Sequence, residues 1–452
     1  MLRKAVPLML VFFVIVGSVQ AVDVRDVREV LRSDYVYVSG LITADGGVSP
    51  AFDPAGSLRG HVLAGSMIAW IHFGLGDPES LALLNRVAAA VNRRIESEDG
   101  VDLFFDSKTI PEAENLVVHL LAADFLAVHY GLTKDSRSKT NMLKLAESLE
   151  KRLGWTPITS KARYLVYSSR ISYLTGGQPS ADDVQKALDD FSQHFMDIVD
   201  YSSRSFDGLT SSLTQLSFLL SAVNRAGLDS PTELAALWTV HIDYVVNSTK
   251  NIPVSPGNYP QLLRAHASLT YAAENTHFSH SKYAAENAVS LAKNIAAMWK
   301  AGDRILYLPV DVLDLYPLDP LIPVERMLAE IQRQTKPTMA DMRFPTLLIL
   351  LSQLGELPHE LSAVLSLAIE KMAIKEGYFP VVERGVFRSE EFVNRWWRIS
   401  LLSTYLALQR APAVQRRNEV VEIFVNTHPT FLVLLTMLLA TAFLYRTGLL
   451  KW

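Results

Sequence analysis

Two kinds of helical pattern alternate along the chain. In the first, apolar residues occupy almost every position, as in "HVLAGSMIAWIHF", "NLVVHLLAADFLAVHY", "ARYLVYSSRISYL" and "LTQLSFLLSAV". A helix with no polar face is one buried on all sides. In the second, the apolar residues keep to one stripe. In "NMLKLAESLEKRL", Met142, Leu145, Leu149 and Leu153 fall at i, i+3, i+7 and i+11, with Lys144, Glu147, Glu150 and Lys151 on other sides. Such a helix lays one face on a core and the other in water. Short turns such as "GLGDPES", "GLTKDSRS", "TGGQPSAD" and "GLDSPTE" join the two kinds. In them Gly ends the first helix and Asp, Ser or Thr caps the second.

The alternation continues less regularly. "SPGNYPQLLRAHASLTYAAE" begins a fifth buried helix with "SKYAAENAVSLAKNIAAMW" as its amphipathic partner, "DMRFPTLLILLSQLG" a sixth with "HELSAVLSLAIEKMA", and "NRWWRISLLSTYLALQ" a seventh. Gly46, Gly100, Gly154 and Gly208 are spaced 54 residues apart, in "ADGGV", "EDGVD", "RLGWT" and "FDGLT". They predict one turn per unit, each launching a buried inner helix. Repeating units of an inner and an outer helix are the signature of stacked helical hairpins. Inner helices that are apolar all round favour an array closed on itself. The fold class is therefore all-α: an α/α toroid of about six to seven helical hairpins. Strand is expected only at "YVYVS" and in hairpin-like loops such as "GYFPVVERGVF".

In the turns "ADGGVSP" and "KEGYFP", each followed by a buried helix, the chain resembles the α/α-toroid proteins over residues 40–410. That class includes terpenoid cyclases, protein prenyltransferases, complement-like thioester domains and several glycoside hydrolase and polysaccharide lyase families. The resemblance is one of architecture and selects no family. The chain has no Asp-x-Asp-Asp of the proton-initiated cyclases, and no cysteine for a thioester or a prenyltransferase zinc site.

The two ends add a location. Arg3 and Lys4 precede the apolar run "VPLMLVFFVIVGSV", which ends at Gln20-Ala21 and reads as a secretory signal over residues 1–21. Its core of about 14 residues makes roughly 21 Å of helix, short for a bilayer core of about 30 Å. Residues 429–450 are apolar enough for a transmembrane helix, with Arg446 and Lys451 placing the tail, 451–452, in the cytoplasm. The expected protein is a single-pass type I protein of the cell membrane. Its extracytoplasmic domain spans residues 22–415, and a juxtamembrane linker follows over 416–428. Absence of cysteine excludes disulfides and thiolate chemistry, so a large core must supply stability. The net charge of −4 is spread along the chain without a basic stripe, so nucleic acid is not an expected partner. Asn247-Ser248-Thr249 is a sequon.

Candidate chemistry concentrates in the long outer-to-inner connections, since long loops carry function more often than tight turns. They lie at the N-terminal ends of the inner helices, where positive dipole ends converge and favour an anionic or hydroxyl-rich ligand. The loop from Glu98 to Glu114 offers Asp99, Asp102, Glu112 and Glu114 as candidate catalytic carboxylates beside Phe104 and Phe105. Paired carboxylates flanked by rings suit glycosidic hydrolysis; a solvated, helix-capping acidic loop is the plainer alternative. "RSEEFVNRWWR" offers Glu391, Arg395 and Trp396 for a sugar ring or an anion, against a capping and packing role. Asp45, Arg59 and His61 are further ligand-binding candidates, with His119 one turn away in register. Glu274, His277 and His280 have a spacing open to a metal but fall in a short turn, and no cofactor or metal is expected. No His-Glu-x-x-His, Gly-x-Ser-x-Gly or phosphate-loop pattern occurs.

The leading expectation is a membrane-anchored toroid that binds or processes a glycan or cell-envelope polymer. If it is an enzyme, the activity is of the glycoside hydrolase or polysaccharide lyase kind. The alternative is a non-catalytic scaffold or subunit of a membrane complex, with "ILYLPVDVLDLYPLDPLIP" as its docking patch. A third reading places a lipid or isoprenoid in the lumen.

Overall fold

The computed structural model of the chain describes residues 23–50, 58–97, 112–153, 160–255, 258–300, 343–355, 357–376 and 390–410. The expected signal peptide, juxtamembrane linker, transmembrane segment and tail lie outside them, as do the loops "GYFPVVERGVF" and "ILYLPVDVLDLYPLDPLIP". Among the described residues no helix is long and apolar enough to cross a membrane.

All regular structure among the described residues is helical: α1 (Val24–Ser39), α2 (Leu58–Leu75), α3 (Pro78–Ser97), α4 (Glu112–Thr133), α5 (Ser136–Leu153), α6 (Ser160–Leu174), α7 (Ala181–Gln193), α8 (Phe195–Arg204), α9 (Phe206–Ala226), α10 (Thr232–Thr249), α11 (Tyr259–Ala273), α12 (His280–Lys300), α13 (Arg343–Leu354), α14 (His359–Ser366) and α15 (Glu390–Arg410). A π-helical stretch, Leu367–Glu376, continues α14.

The helices expected to be buried are α2, α4, α6, α9, α11, α13 and α15. Each packs against the next, and α15 packs against α2, so this circuit of contacts has no free end. The amphipathic helices flank it: α3 on α2, α5 on α4, α7 on α6, α10 on α9, α12 on α11 and α14 on α13. One contiguous apolar core runs through all of these elements. The last buried helix, α15, has its flanking partner at the other end of the chain, in α1.

Helix α1 corrects the expectation of a strand at "YVYVS". Asp23 caps it by accepting a hydrogen bond from the Arg25 N–H at 2.8 Å. Its buried residues are Val27, Leu31, Asp34 and Val38, a helical stripe that runs through the supposed strand. The β-branched alternation at the end of that helix is outweighed by the apolar face presented to α2 and α15, as tertiary packing routinely outweighs propensity.

The short turns carry the repeat. Helices α2, α6 and α9 end at Gly76, Gly176 and Gly227, with φ of 67°, 82° and 69°, and α4 ends at Lys134 with φ 60°. These are left-handed C-caps. A polar side chain near the end of the buried helix then reaches the start of its partner. His72 Nδ1 lies 3.0 Å from Ser80 Oγ, His129 Nδ1 lies 2.8 Å from Ser138 Oγ, and Ser230 Oγ donates to Asn224 Oδ1 at 3.1 Å.

The 54-residue glycine spacing does not mark equivalent places. Gly46 lies in a tight loop closed by Ser49 N–H on Leu41 O at 2.7 Å and by a single antiparallel bridge, Ile42 with Val48. A Cβ on Gly46 would sit 2.2 Å from Arg86 O, so the glycine lets the loop dock on α3. Gly208 is no turn: it lies in the first turn of α9, where its N–H is capped by Ser205 Oγ at 3.0 Å. The connection there is Ser205 alone, against the expected rule of long outer-to-inner loops, and the third unit's outer part is split into α7 and α8. Gly100 and Gly154 lie outside the described residues.

Candidate functional site

Buried charge is concentrated where α6, α9 and α11 meet, at both ends of these helices. Near their N-terminal ends, Arg264 of α11 pairs with Asp207 in the first turn of α9. Arg163, in the first turn of α6 and 5% exposed, lies with its guanidinium 5.2 Å from the Tyr164 ring. Helix α9 adds buried hydroxyl and amide groups at Thr210, Ser211, Ser212, Thr214 and Gln215, with Gln215 Nε2 donating to Ser211 Oγ at 3.2 Å. Buried charges occur when paired or hydrogen-bonded, so the Arg264–Asp207 pair is a structural commitment.

At the C-terminal ends, Arg170 of α6 grips Glu274, the residue capping α11, through both guanidinium nitrogens, one of them at 2.8 Å. The same guanidinium lies 4.8 Å from the Phe218 ring and 5.2 Å from the Tyr271 ring. Arg225, in the last turn of α9, stacks 3.5 Å from the Tyr173 ring. Ser169, Arg170, Phe218, Ser221, Ala222 and Arg225 line a shallow indentation there.

The carboxylates explain what chemistry the described residues support. Asp34 is bound by Arg395 and Arg398, Asp183 by Lys139 and the Tyr130 hydroxyl, Glu96 by Arg137 and Asn141, and Glu274 by Arg170. Hydrogen bonds from Arg137, first, and Asn141 hold Glu96 down at about 2. Asp183 is lowered too: burial, its largest single influence, opposes this, and the bonds from Lys139 and Tyr130 outweigh it. Asp45, Glu96, Asp135, Asp183 and Glu360 are all displaced downward, opposite to the direction a general acid at neutral pH requires.

The sequence-predicted residues are dispersed. Asp45 is exposed, and its carboxylate accepts from Thr43 Oγ1 at 2.5 Å and Gly47 N–H at 3.3 Å, while its carbonyl accepts from Arg93 Nη2 at 3.0 Å. The Thr43 bond, first, and the Gly47 bond lower its pKa. That is the chemistry of a turn cap docked on α3. His61 is half-buried in α2 and His119 is buried in α4. Arg395 donates to Asp34 Oδ1 at 2.8 Å and lies 4.0 Å from the Tyr37 ring, which ties it to α1. Arg59 is in the first turn of α2, Glu112 and Glu114 open α4, and Glu391 and Trp396 lie in the first turns of α15. Their side chains, and all of Asp99 and Asp102, lie outside the described residues. Glu274 is held by Arg170, and no group of three metal-ligating side chains occurs among the described residues.

The signal for Arg163, Arg170, Asp207, Arg225 and Arg264 was present in the sequence: each is a charged residue in a helix read as buried. Arg163 and Arg170 are seven apart and so share one face of α6. Attention to acidic loops passed over them. Compared with known proteins, the chain matches no family model, no curated protein and no solved structure.

Proposed function

We propose that this chain is an α/α toroid, anchored at the membrane by its apolar C-terminal segment, that grips an acidic or hydroxyl-rich glycan or envelope polymer outside the cytoplasm. The closed circuit from α2 through α15 and back to α2 supports the toroid reading. The apolar run at 429–450 and the basic, then apolar, opening residues support the anchored, exported location.

The observation that carries the ligand class is the convergence of the N-terminal ends of α6, α9 and α11, where Arg163 lies beside the hydroxyl-rich start of α9 and Arg264 is held in place by Asp207. Helix N-termini and guanidinium forks together favour anionic groups, and buried hydroxyls suit sugars. The grip is proposed without cleavage, because the carboxylates of Asp34, Asp183 and Glu274 are committed to cations.

The test uses the full-length chain in detergent and arrays of immobilised acidic and neutral envelope polysaccharides. Binding to at least one acidic polymer is expected, weakened about tenfold or more in Arg163→Gln, a loss typical of one charge-assisted contact. No new reducing ends are expected on incubation. Absence of binding by the wild-type chain to every polymer would overturn the reading, and release of reducing ends would overturn its non-catalytic part.

A further inference from the structure

We propose that Arg225, with Arg170 beside it, forms a second binding site for a single oxyanion, a carboxylate or phosphate group, at the C-terminal ends of α6 and α9. This site is at the end opposite the proposed polymer grip and does not depend on that reading.

The argument starts from charge. Two guanidiniums, Arg170 and Arg225, share a cluster in which Glu274 is the acidic group, and Arg170 holds both carboxylate oxygens of Glu274. Arg225 has no ion pair or hydrogen bond with any described residue, and its guanidinium stacks on the Tyr173 ring at 3.5 Å. One positive charge is therefore left over. Burial pulls the Arg225 pKa down to about 10, with Arg170 pulling the same way and Glu274 opposing them.

A structural role does not account for the arrangement. Arginine in the last turn of a helix complements its dipole, but two of the terminal carbonyls of α9 are already taken. The Gly227 and Leu228 N–H groups bond the carbonyls of Asn224 and Val223. A cation stacked on one ring face, without an acceptor, keeps its N–H fork for a partner. The indentation brings Ser169, Ser221 and Arg170 to the same place, and Arg225 is only partly buried, so solvent reaches it. Ser169 spends its proton on Leu165 O at 2.9 Å, and the surplus charge, the planar fork and the Ser221 hydroxyl fit one carboxylate or phosphate group. Its source is either an acidic polymer end or a free anion.

The experiment measures melting of the full-length chain in detergent against glucuronate and against inorganic phosphate, at ionic strength held constant with chloride. A rise in melting temperature of several degrees with either probe is expected for the wild-type chain and none for Arg225→Gln. A response to glucuronate alone assigns a carboxylate source, and a response to both a general oxyanion site. In Glu274→Gln, which removes the competing acid, the affinity for the same probe should rise about tenfold. No response of the wild-type chain to both probes, an equal response in Arg225→Gln, or unchanged affinity in Glu274→Gln would each overturn the proposal.

Discussion

Arg398 of α15 and Asp34 of α1, 364 residues apart in the chain, are joined by two hydrogen bonds from one guanidinium edge, Nε on Oδ2 at 2.8 Å and Nη2 on Oδ1. Arg395 reaches the same carboxylate, which is fully buried. The pair fastens the N-terminal helix to the last helix of the circuit, at the place where the circuit closes.

Asp34→Asn keeps the volume and removes the charge, leaving two guanidiniums facing a neutral amide. Breaking one side of a buried ion pair costs about 3–5 kcal/mol. The denaturant midpoint of the full chain should fall accordingly, and cleavage between α1 and α2 by a probe protease should accelerate. An unchanged midpoint would show that the closure does not depend on this carboxylate.

Gly74 lies within α2, where alanine normally stabilises a helix by roughly 0.5–1 kcal/mol. Here an added Cβ would sit 2.7 Å from Ser403 Cα of α15 and 2.7 Å from Leu31 Cδ2 of α1. Overpacking of this kind costs about 1–3 kcal/mol, so Gly74→Ala should be net destabilising. Denaturation that shows a stabilised variant would contradict the close approach of α2, α1 and α15.

Lys134 ends α4 in the left-handed conformation that the equivalent turns give to glycine. Lys134→Gly should raise stability by about 1 kcal/mol, less whatever is lost from the contact of its ammonium with the Tyr130 ring at 5.5 Å. The reverse change, Gly227→Ala, meets no atom within 4 Å and should cost about 1 kcal/mol through the backbone alone. Thermal melts of the two variants should therefore move in opposite directions.

Burial lowers the pKa of His129 to about 4, His241 to about 4 and His266 to about 3. These values lie below the ordinary imidazole value of about 6.5, so the unfolded chain takes up protons that the folded chain refuses. Their stabilising contribution is complete above about pH 6.5 and declines as pH falls toward 4, by up to about 1.4 kcal/mol per pH unit for each histidine. Urea midpoints at pH 7, 6 and 5 should fall in that order. His266 is fully buried and meets the Phe344 ring edge-on at 5.8 Å, so His266→Phe should flatten the slope. A slope unchanged in that variant would rule out the assignment.

Much of the helical order was legible in sequence, because a helix that packs on all sides must be apolar on all sides. "HVLAGSMIAWIHF" and "ARYLVYSSRISYL" became α2 and α6 for that reason. The C-caps were legible as well, since only glycine enters the left-handed region freely, and Lys134 is the exception that composition hides. The candidate site was read less well. Acidic loops drew attention through residue type, whereas Arg163, Asp207 and Arg264 depend on which faces of α6, α9 and α11 meet, and periodicity within one helix does not say that.

The sequence by itself determined a chain of alternating buried and half-buried helices with capped turns, because local spacing and capping act within a few residues. It also supplied the apolar ends. Tertiary structure decided what joins over distance. It made "YVYVS" the last turn of a helix by giving that helix a wall to pack on, and it paired α1 with α15 through Asp34 and Arg398. It also left Arg225 with a ring but, among the described residues, no acid bonded to it. Electrostatic partners are set by proximity in space, and in a circuit closed by its two ends that proximity bears no relation to separation along the chain.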